Sequence, residues 1–462
     1  MEFIRREHPE YMARKGMWKM YRDLYAGGEE LRQSAGEYLA RRSKEPAEVY
    51  EERLGRVFYE NYVGSIIDWY GATLLRREPN LICEGPNDAG KAFFSEFVEN
   101  CDLRGTNLSE FFREQLVRTL VYGRSYVAVD FPRFTGPFAS RAEEDAAGRS
   151  RAFLVDYTPE EVINWSRDGQ GALEWIVVRT KGLRQDRVTD SGWRRETRWL
   201  YYDRRQYRVY EQTAGEGTDG KIELVDEGPH GLAALDRVPV FEMRVSEGLW
   251  LMNKAALLQL EHFNKSNALA WALTMGLFAM PVVYSEREWN QIVGESYYIQ
   301  LGPQDRFGWT EPEGHVYQIA ADNLVRLKDE IYRVCYLLTQ AGGSQATPQS
   351  GLSKLRDFAI TQEVLRAYGD AVKETMKQVL RAIEDARQDA LFVDVSGLDE
   401  FDIGDFEGEL DEAKKLLELG IQSPTMKRQL FKKLALKYFC DARQEVKNQI
   451  AEEIDRSFAV EG

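Results

Sequence analysis

Few residues in this chain have the types and spacing that catalysis or metal binding requires. The four histidines stand alone, with no metal-ligating residue at i+3 or i+4: His8, His230, His262 and His315. We interpret them as ordinary surface or core histidines. The four cysteines are far apart and form no CxxC pair: Cys83, Cys101, Cys335 and Cys440. This spacing predicts buried free thiols rather than disulfides or a zinc site.

Nucleotide and nucleophile motifs are also missing from the sequence. There is no GxxxxGK[ST] loop to cradle phosphates and no GxSxG turn to present a catalytic serine. Residues 394–412 hold nine Asp or Glu and no Lys or Arg, so they could bind a divalent cation in a metal-dependent nuclease. A solvated acidic linker is the favoured interpretation, because EF-hand spacing is absent. We therefore expect no enzyme activity, no metal and no cofactor.

Composition limits the class of protein. The chain has 462 residues, 43% hydrophobic and 30% charged, which predicts a folded protein of two to four domains or lobes. Its net charge of −15 argues against tight binding of DNA phosphates, although DNA could still pass a like-charged wall. No run of 18 apolar residues and no apolar signal-peptide core occurs, so we expect no membrane association and synthesis in the cytoplasm.

The elements that would position any site fall into an α+β order. Residues 1–120 have helical periodicity, including one long helix predicted over 48–75. Residues 121–248 predict β-structure, beginning with a strand at 122–132 whose two faces are both apolar. The following stretch, 152–245, predicts a meander with turns at Asp168-Gly169 and Asp219-Gly220.

Helices dominate again from residue 249. A long helix is predicted over 249–279, then a turn-rich insert at 280–320 whose two ends read as short strands, then a helix at 323–340. The polar string 341–351 precedes another long helix to about 391, in which Gly369 predicts a kink or a close approach. Near the C-terminus, Ser423-Pro424 is a strong helix-start signal.

This order of parts resembles the portal proteins of tailed bacteriophages. The matching phrases are Val49-Tyr-Glu-Glu-Arg-Leu-Gly-Arg-Val-Phe-Tyr-Glu-Asn-Tyr-Val63, Asn100-Cys-Asp-Leu-Arg-Gly-Thr-Asn-Leu-Ser-Glu-Phe111 with Val121-Tyr-Gly-Arg-Ser-Tyr-Val-Ala-Val-Asp-Phe-Pro132, Tyr157-Thr-Pro-Glu-Glu-Val-Ile-Asn-Trp165, and Leu419-Gly-Ile-Gln-Ser-Pro-Thr-Met-Lys-Arg428. The resemblance covers nearly the whole chain, and these phrases occur in the same order.

The resemblance implies a mainly helical α+β portal fold with a β-rich wing, two stem helices, a small α/β clip and a helical crown. On this chain the parts would be a wing at 1–248, a first stem helix at 249–279, a clip at 280–320, a second stem helix at 321–340, a tunnel loop at 341–351, a long helix returning through the wing at 352–404, and a crown at 405–462.

The resemblance also implies where the functional residues lie. The tunnel loop would face DNA through Gly342, Gly343, Gln345, Thr347, Gln349, Ser350 and Lys354. The clip would bind partners through Glu286, Arg287, Glu288, Tyr297, Arg306 and Glu311. Glycines suit a loop that must flex, and the clip's six acids against two arginines suit a basic partner or a low-friction channel.

A portal would assemble with itself as a ring, typically of twelve subunits, at one vertex of the virion capsid. Its further partners would be the large terminase subunit, adaptor or head-completion proteins, the major capsid and scaffolding proteins, and double-stranded DNA passing through the channel. The alternatives are another head-tail structural protein, such as an adaptor or minor capsid component, and the metal-dependent nuclease.

Overall fold

The fold was analysed in a computed structural model of the chain, which describes residues 2–133, 143, 147–185, 193–214, 220–276, 280–285, 304–310, 314–337, 351–398, 406–419, 421, 423–439, 442 and 444–459. The chain forms two compact units. Unit 1 comprises Met1–Arg22, Ser65–Asn253 and Leu355–Gly462, and unit 2 comprises Asp23–Gly64 and Lys254–Lys354. The fold is α+β, as the sequence predicts.

Helices carry most of the described chain. They are α1 (Pro9–Ala26), α2 (Gly28–Tyr38), α3 (Ala47–Gly55), α4 (Tyr62–Leu74), α5 (Asp88–Glu99), α6 (Leu108–Tyr122), α7 (Leu251–Gly276), α8 (Gly314–Val334), α9 (Gly351–Arg387), α10 (Phe406–Glu418), α11 (Pro424–Tyr438) and α12 (Gln444–Ala459). Short 3₁₀ turns lie at Glu2–Arg5, Ala233–Leu235 and Glu247–Leu249.

All the strands that the structure describes pair antiparallel. They are β1 (Asn80–Glu84), β2 (Arg124–Asp130), β3 (Phe153–Tyr157), β4 (Val162–Arg167), β5 (Leu173–Arg184), β6 (Arg194–Asp203), β7 (Gln206–Ala214), β8 (Glu223–Pro229), β9 (Val240–Arg244), β10 (Met280–Tyr284), β11 (Arg306–Thr310) and β12 (Phe392–Ser396). They form a five-stranded sheet β4-β5-β6-β7-β8, a three-stranded sheet β3-β2-β9, and the pairs β1-β12 and β10-β11.

The core of unit 1 is built around β2. All of its residues except the last are buried, which confirms the prediction of a strand covered on both faces. It follows α6, whose N-terminus is capped by the Asn107 side chain and whose C-terminus ends at Gly123 with φ +84°. A Cβ at Gly123 would lie 2.8 Å from the Trp250 ring, so glycine is needed there for both backbone and space.

The predicted meander is confirmed in the five-stranded sheet, whose strands are consecutive in the chain. Strand β4 was not predicted, and β3 and β9 were predicted as parts of the meander, whereas they pair with β2 in a sheet of their own. At the end of unit 1, Ser423 accepts a hydrogen bond from the Met426 amide and Pro424 occupies the first turn of α11. The predicted helix start at this point is therefore confirmed.

Three predictions were wrong. The single helix expected over 48–75 is divided into α3 and α4, because side chains of the intervening turn bond the backbone of α1: Tyr59 Oη donates to Leu24 O (2.7 Å) and Asn61 Nδ2 donates to Tyr25 O (2.7 Å). The strand expected at 316–320 is the first part of α8. The acidic stretch 394–412 is not merely a linker, since β12 and α10 occupy parts of it.

Candidate functional site: the helix-hairpin-helix segment of unit 2

Most of the predicted site residues fall outside the described part of the chain. This holds for Gly342, Gly343, Gln345, Thr347, Gln349 and Ser350 in the loop, and for Glu286, Arg287, Glu288, Tyr297 and Glu311 in the insert. Lys354 lies in the first turns of α9, and its side chain is also outside the described set. Arg306 is described: it is the exposed first residue of β11 and pairs with Tyr284.

The elements flanking these residues form an antiparallel helix pair. Contacts between α7 and α8 run in opposite chain directions: Lys254 Nζ donates to Tyr336 Oη just past α8, Lys265 Nζ donates to Asn323 Oδ1 (2.9 Å), and Tyr317 Oη donates to Ala272 O (3.5 Å). The Lys254 ammonium also lies 4.3 Å from the centroid of the Tyr336 ring. From Lys254 to Ala272 the pair spans about 27 Å at 1.5 Å per residue.

The β-hairpin continues the helix pair in the same register. Met280 pairs with Thr310 and Tyr284 with Arg306, and β10 follows α7 in the chain as β11 precedes α8. The antiparallel pairing of residues therefore extends from Lys254 and Tyr336 to Tyr284 and Arg306, and α7, α8, β10 and β11 are here called the arm. Tyr284 and Arg306 are both exposed.

Three amide side chains of α7 fasten the arm to residues 38–63, here called the strap. Gln259 accepts from Val63 N (3.3 Å) and donates to Glu60 O (2.8 Å). Asn264 accepts from Ala40 N (2.7 Å) and donates to Tyr38 O (3.0 Å).

Asn267 completes the set by bonding both backbone groups of Phe58, accepting from its N (3.1 Å) and donating to its O (2.9 Å). Each amide thus bonds one donor and one acceptor of the strap backbone. Gln259, Asn264 and Asn267 were not among the predicted site residues. The available signal was the recurrence of Asn and Gln on a helix that is otherwise strongly apolar.

A buried ion pair stabilises the strap itself. Arg53 Nη1 lies 2.6 Å from Glu45 Oε1, and both side chains are at most 5% exposed. Glu45 also accepts from the Arg42 amide (3.2 Å), which closes the turn before α3. The pKa of Glu45 is held below its ordinary value chiefly by the hydrogen bond from Arg53. Loss of either partner would leave the other charge buried without compensation, which is strongly destabilising. The ion pair therefore stabilises the turn before α3.

His262 is a buried titratable group of unit 2, with its side chain 2% exposed. Its Nε2 lies 3.5 Å from Glu60 Oε2, and its ring meets Tyr62 edge-on at 5.1 Å between centroids. Its Nδ1 is buried without a hydrogen-bond partner among the described residues. Burial lowers the pKa of His262; the Glu60 carboxylate opposes this shift and the Lys328 ammonium adds to it. The site therefore favours the neutral imidazole.

Within the described ranges, no three His, Cys, Asp or Glu side chains are placed to hold a metal ion, and no helix there is long and apolar enough to cross a membrane. Of the acids in 394–412, Asp394 is paired with Lys377 at 2.8 Å and Arg381 at 3.5 Å. Although burial acts to raise it, the pKa of Asp394 is lowered, because Lys377 and Arg381 favour the carboxylate. Asp394 is therefore engaged in ion pairs with Lys377 and Arg381 of α9.

The comparisons with known proteins give weak similarity. No family's sequence profile matches the chain, and no curated protein does. Among solved structures, the chain is similar to one in the neck of an empty gene transfer agent particle, at 13% identity over 80% of this chain and 90% of that one, with a TM-score of 0.43.

Two further solved chains are similar at the same level. A chain in the virion of a native gene transfer agent particle matches at 11% identity over 86% of this chain and 98% of that one, with a TM-score of 0.40. A chain in the neck of the native particle matches at 13% identity over 77% of this chain and 84% of that one, with a TM-score of 0.36. At these identities and scores, the similarity establishes neither a shared fold nor a shared function.

Proposed function

We propose that this protein is a portal subunit: copies form a ring at one capsid vertex, and double-stranded DNA passes through the ring during packaging and ejection. The observation that carries the proposal is the shared register of α7, β10, β11 and α8. The two antiparallel helices would be the stem of a portal subunit, and the hairpin would belong to its clip. This is the arrangement that the resemblance of the ordered sequence phrases implies.

Exposed apolar side chains on the stem support self-assembly. Large apolar residues remain exposed on the isolated chain at Leu257 (70%), Leu273 (44%), Val316 (63%), Ile319 (56%) and Val325 (54%). Apolar surface of this kind on both helices of a pair is typical of an interface. Side-by-side packing of identical copies around a closed ring would cover it.

The remaining assignments follow from the portal proposal. The hairpin end, with Arg306 and the predicted clip residues, would dock the terminase motor and later the adaptor proteins. The polar loop between α8 and α9 would face the DNA. A net charge of −15 per subunit, repeated around the ring, would let a polyanion slide past without adhering.

Electron microscopy of the purified protein tests ring formation. We expect closed rings with a central channel, formed either by the protein alone or with its scaffolding protein. Light scattering that shows only monomers over a wide range of salt and concentration, with and without scaffolding protein, would remove the basis of the proposal. Rings that package genome normally after residues 342–350 are replaced by a short linker would favour another head-tail component.

A further inference from the structure

Unit 2 contains a small pocket between α7 and the strap, with a volume of about 80 Å³. Leu39, Ala270 and Trp271 form the apolar part of its lining. A water molecule needs only about 10–15 Å³ of such space, and an apolar cavity of about 150 Å³ binds benzene. The pocket therefore has room for one aliphatic side chain.

Polar side chains that line the pocket already have partners. Arg53 belongs to the buried ion pair of the strap, and Asn267 bonds both backbone groups of Phe58. The Thr274 hydroxyl donates to Ala270 O (2.9 Å) in the preceding turn of α7. Because these groups need no hydrogen bond from an occupant, an apolar side chain can enter without leaving them unpaired.

The pocket lies on the side of α7 that is turned away from α8. Lys265 and Ala272 of α7 both contact α8. Asn267 and Ala270 are each two residues from one of them, which is about 200° around a helix of 3.6 residues per turn. The strap covers this side of α7 and supplies the other wall of the pocket.

Two exposed apolar residues of α8 lie on the opposite side of the helix pair. Tyr317 and Asn323 contact α7. Ile319 and Val325 each follow one of them by two residues, so they lie on the side of α8 away from α7. Their exposed fractions are 56% and 54%. One outer side of the helix pair thus has a pocket, and the other has exposed branched side chains.

Ile319 and the pocket lie at the same level along the arm. Tyr317 contacts Ala272, and the two helices are antiparallel. Two residues further along α8 is therefore level with two residues back along α7, which places Ile319 at about the level of Ala270. Both are helical positions with a rise of about 1.5 Å per residue, so the offset between them is small.

This common level matters because copies in a closed ring are related by rotation alone. When arms run along the ring axis, no copy is displaced along the axis relative to its neighbour. An exposed residue then meets the surface of the next copy at its own level. A contact between two different surfaces at unequal levels would require a rise from copy to copy, as in a helical filament.

The charges beside the two surfaces are opposite. Arg56 lines the pocket, and its side chain is 57% exposed, paired only with the equally exposed Glu52 one turn earlier. On α8, Asp322 is exposed and lies one turn from Ile319. An exposed ion pair such as Arg56–Glu52 is worth little, so Arg56 can exchange it for a carboxylate of another copy.

We propose that Ile319 of one subunit inserts into the pocket between α7 and the strap of the next subunit, with Asp322 beside Arg56. The contact joins different surfaces of identical copies, so it repeats around the ring until the ring closes. The inference rests on the proposed function, because it takes the arms to run along the axis of a ring.

Disulfide trapping in assembled rings tests the contact. Under mild oxidation, the double variant Ala270→Cys/Ile319→Cys should give a ladder of covalent oligomers up to the full ring. Within one subunit the two positions lie on opposite sides of the helix pair, so they cannot bond to each other. An equimolar mixture of the two single variants should give covalent dimers as its largest product, because each copy then carries only one half of the contact.

The matched control is Ala270→Cys/Val325→Cys. Val325 lies on the same side of α8 as Ile319 but about 9 Å further along the helix. Disulfide-bonded Cα atoms are at most about 7 Å apart, so this variant should not cross-link above the level of the wild-type chain. The wild type measures the background from the four native cysteines.

The outcomes separate this inference from the proposed function. Rings seen by electron microscopy without cross-linking above the control overturn the inference and leave the portal proposal standing. Cross-linking of Ile319→Cys alone also overturns it, because two copies of the same surface would then meet. Absence of rings under every condition removes both proposals.

A second measurement needs no cysteine. Ile319→Ala removes most of the inserted side chain, and the subunit concentration at which half of the protein is in rings should rise about tenfold or more. An unchanged concentration in Ile319→Ala would overturn the inference even if the cysteine variants failed to assemble.

Discussion

The carbonyl oxygen of Leu398 lies directly over Gly369, so close that a Cβ on this glycine would be 2.0 Å from it. Leu398 itself has φ +61°, a left-handed conformation that non-glycine residues rarely adopt. Gly369 is in the middle of α9, where glycine costs about 1 kcal/mol relative to alanine. Glycine is nevertheless needed at this position, because the chain after β12 crosses α9 there and leaves no room for a side chain.

Gly369→Ala should therefore destabilise the protein despite improving helix propensity. We expect a loss of about 1–3 kcal/mol in the free energy of unfolding, as for other overpacked sites, because a backbone carbonyl cannot move aside as a side chain can. Denaturant titration measures it. The control is Gly16→Ala in α1, where no atom lies within 4 Å of the added methyl group. That variant should be stabilised by up to about 1 kcal/mol. An unchanged free energy of unfolding in Gly369→Ala would show that the segment around Leu398 can move away from α9.

Removing an amide that fastens the strap should loosen it locally. Asn267→Ala leaves both backbone groups of Phe58 without their partner, and we expect a loss of about 1–3 kcal/mol. Hydrogen exchange should show faster exchange at the Phe58 amide. Gln318→Ala removes an exposed side-chain hydrogen bond on α8 and should change stability by less than about 0.5 kcal/mol. Unchanged protection at Phe58 in Asn267→Ala would contradict the assignment.

The stability of unit 2 should fall in acid because of His262. Its pKa in the folded chain is below the ordinary value of 6.5, since burial disfavours the imidazolium. The stabilising contribution is present above the unfolded pKa and is lost as the pH falls through about 6.5 towards the folded value. His262→Gln should reduce the loss of stability between pH 8 and pH 5.5.

His315→Gln is the control for this titration, because His315 is exposed on α8. His230 in unit 1 has a pKa that burial also lowers, so part of the acid sensitivity should remain in His262→Gln. Identical pH profiles for wild type and His262→Gln would exclude a role for this histidine.

A charge placed on the stem should prevent assembly without unfolding the subunit. Leu257→Glu and Ile319→Glu alter side chains that are 70% and 56% exposed, so the monomer loses little buried area. In a ring, the same carboxylates would be buried at each interface, at a cost of several kcal/mol per copy. Sedimentation should show monomers with wild-type circular dichroism. Leu183→Glu, at a 65% exposed site in β5, should assemble normally. Rings formed by both stem variants would exclude this face as the interface.

The sequence predicted elements whose signals are local. Ser423-Pro424 carries its own helix cap, and the run before Pro132 is apolar on both faces, so the cap and the buried strand β2 follow from a few adjacent residues. The prediction of a close approach at Gly369 was correct for the same reason, because a glycine inside a strong helical pattern needs a cause.

Features that depend on distant residues could not be predicted. The β-branched and aromatic run Val316-Tyr317-Gln318-Ile319 favours a strand in isolation, but Tyr317 packs along α7 and the segment is helical. The α7 amides bond backbone groups of the strap some 200 residues earlier in the chain. Nothing near α7 in the sequence indicates which backbone groups these are. The predicted loop and clip residues stay predictions, apart from the observed position of Arg306.

Because β1 pairs with β12, β1 is synthesised long before the strand that it pairs with. Asn80 pairs with Ser396, and ribosomes add about 5–20 residues per second, so β1 leaves the ribosome roughly 15–60 s before its partner. During that interval its edge is open to any other nascent strand, including one from a neighbouring ribosome on the same message. Slowing translation after residue 84 should therefore increase aggregation during synthesis, whereas refolding of the complete chain escapes this delay.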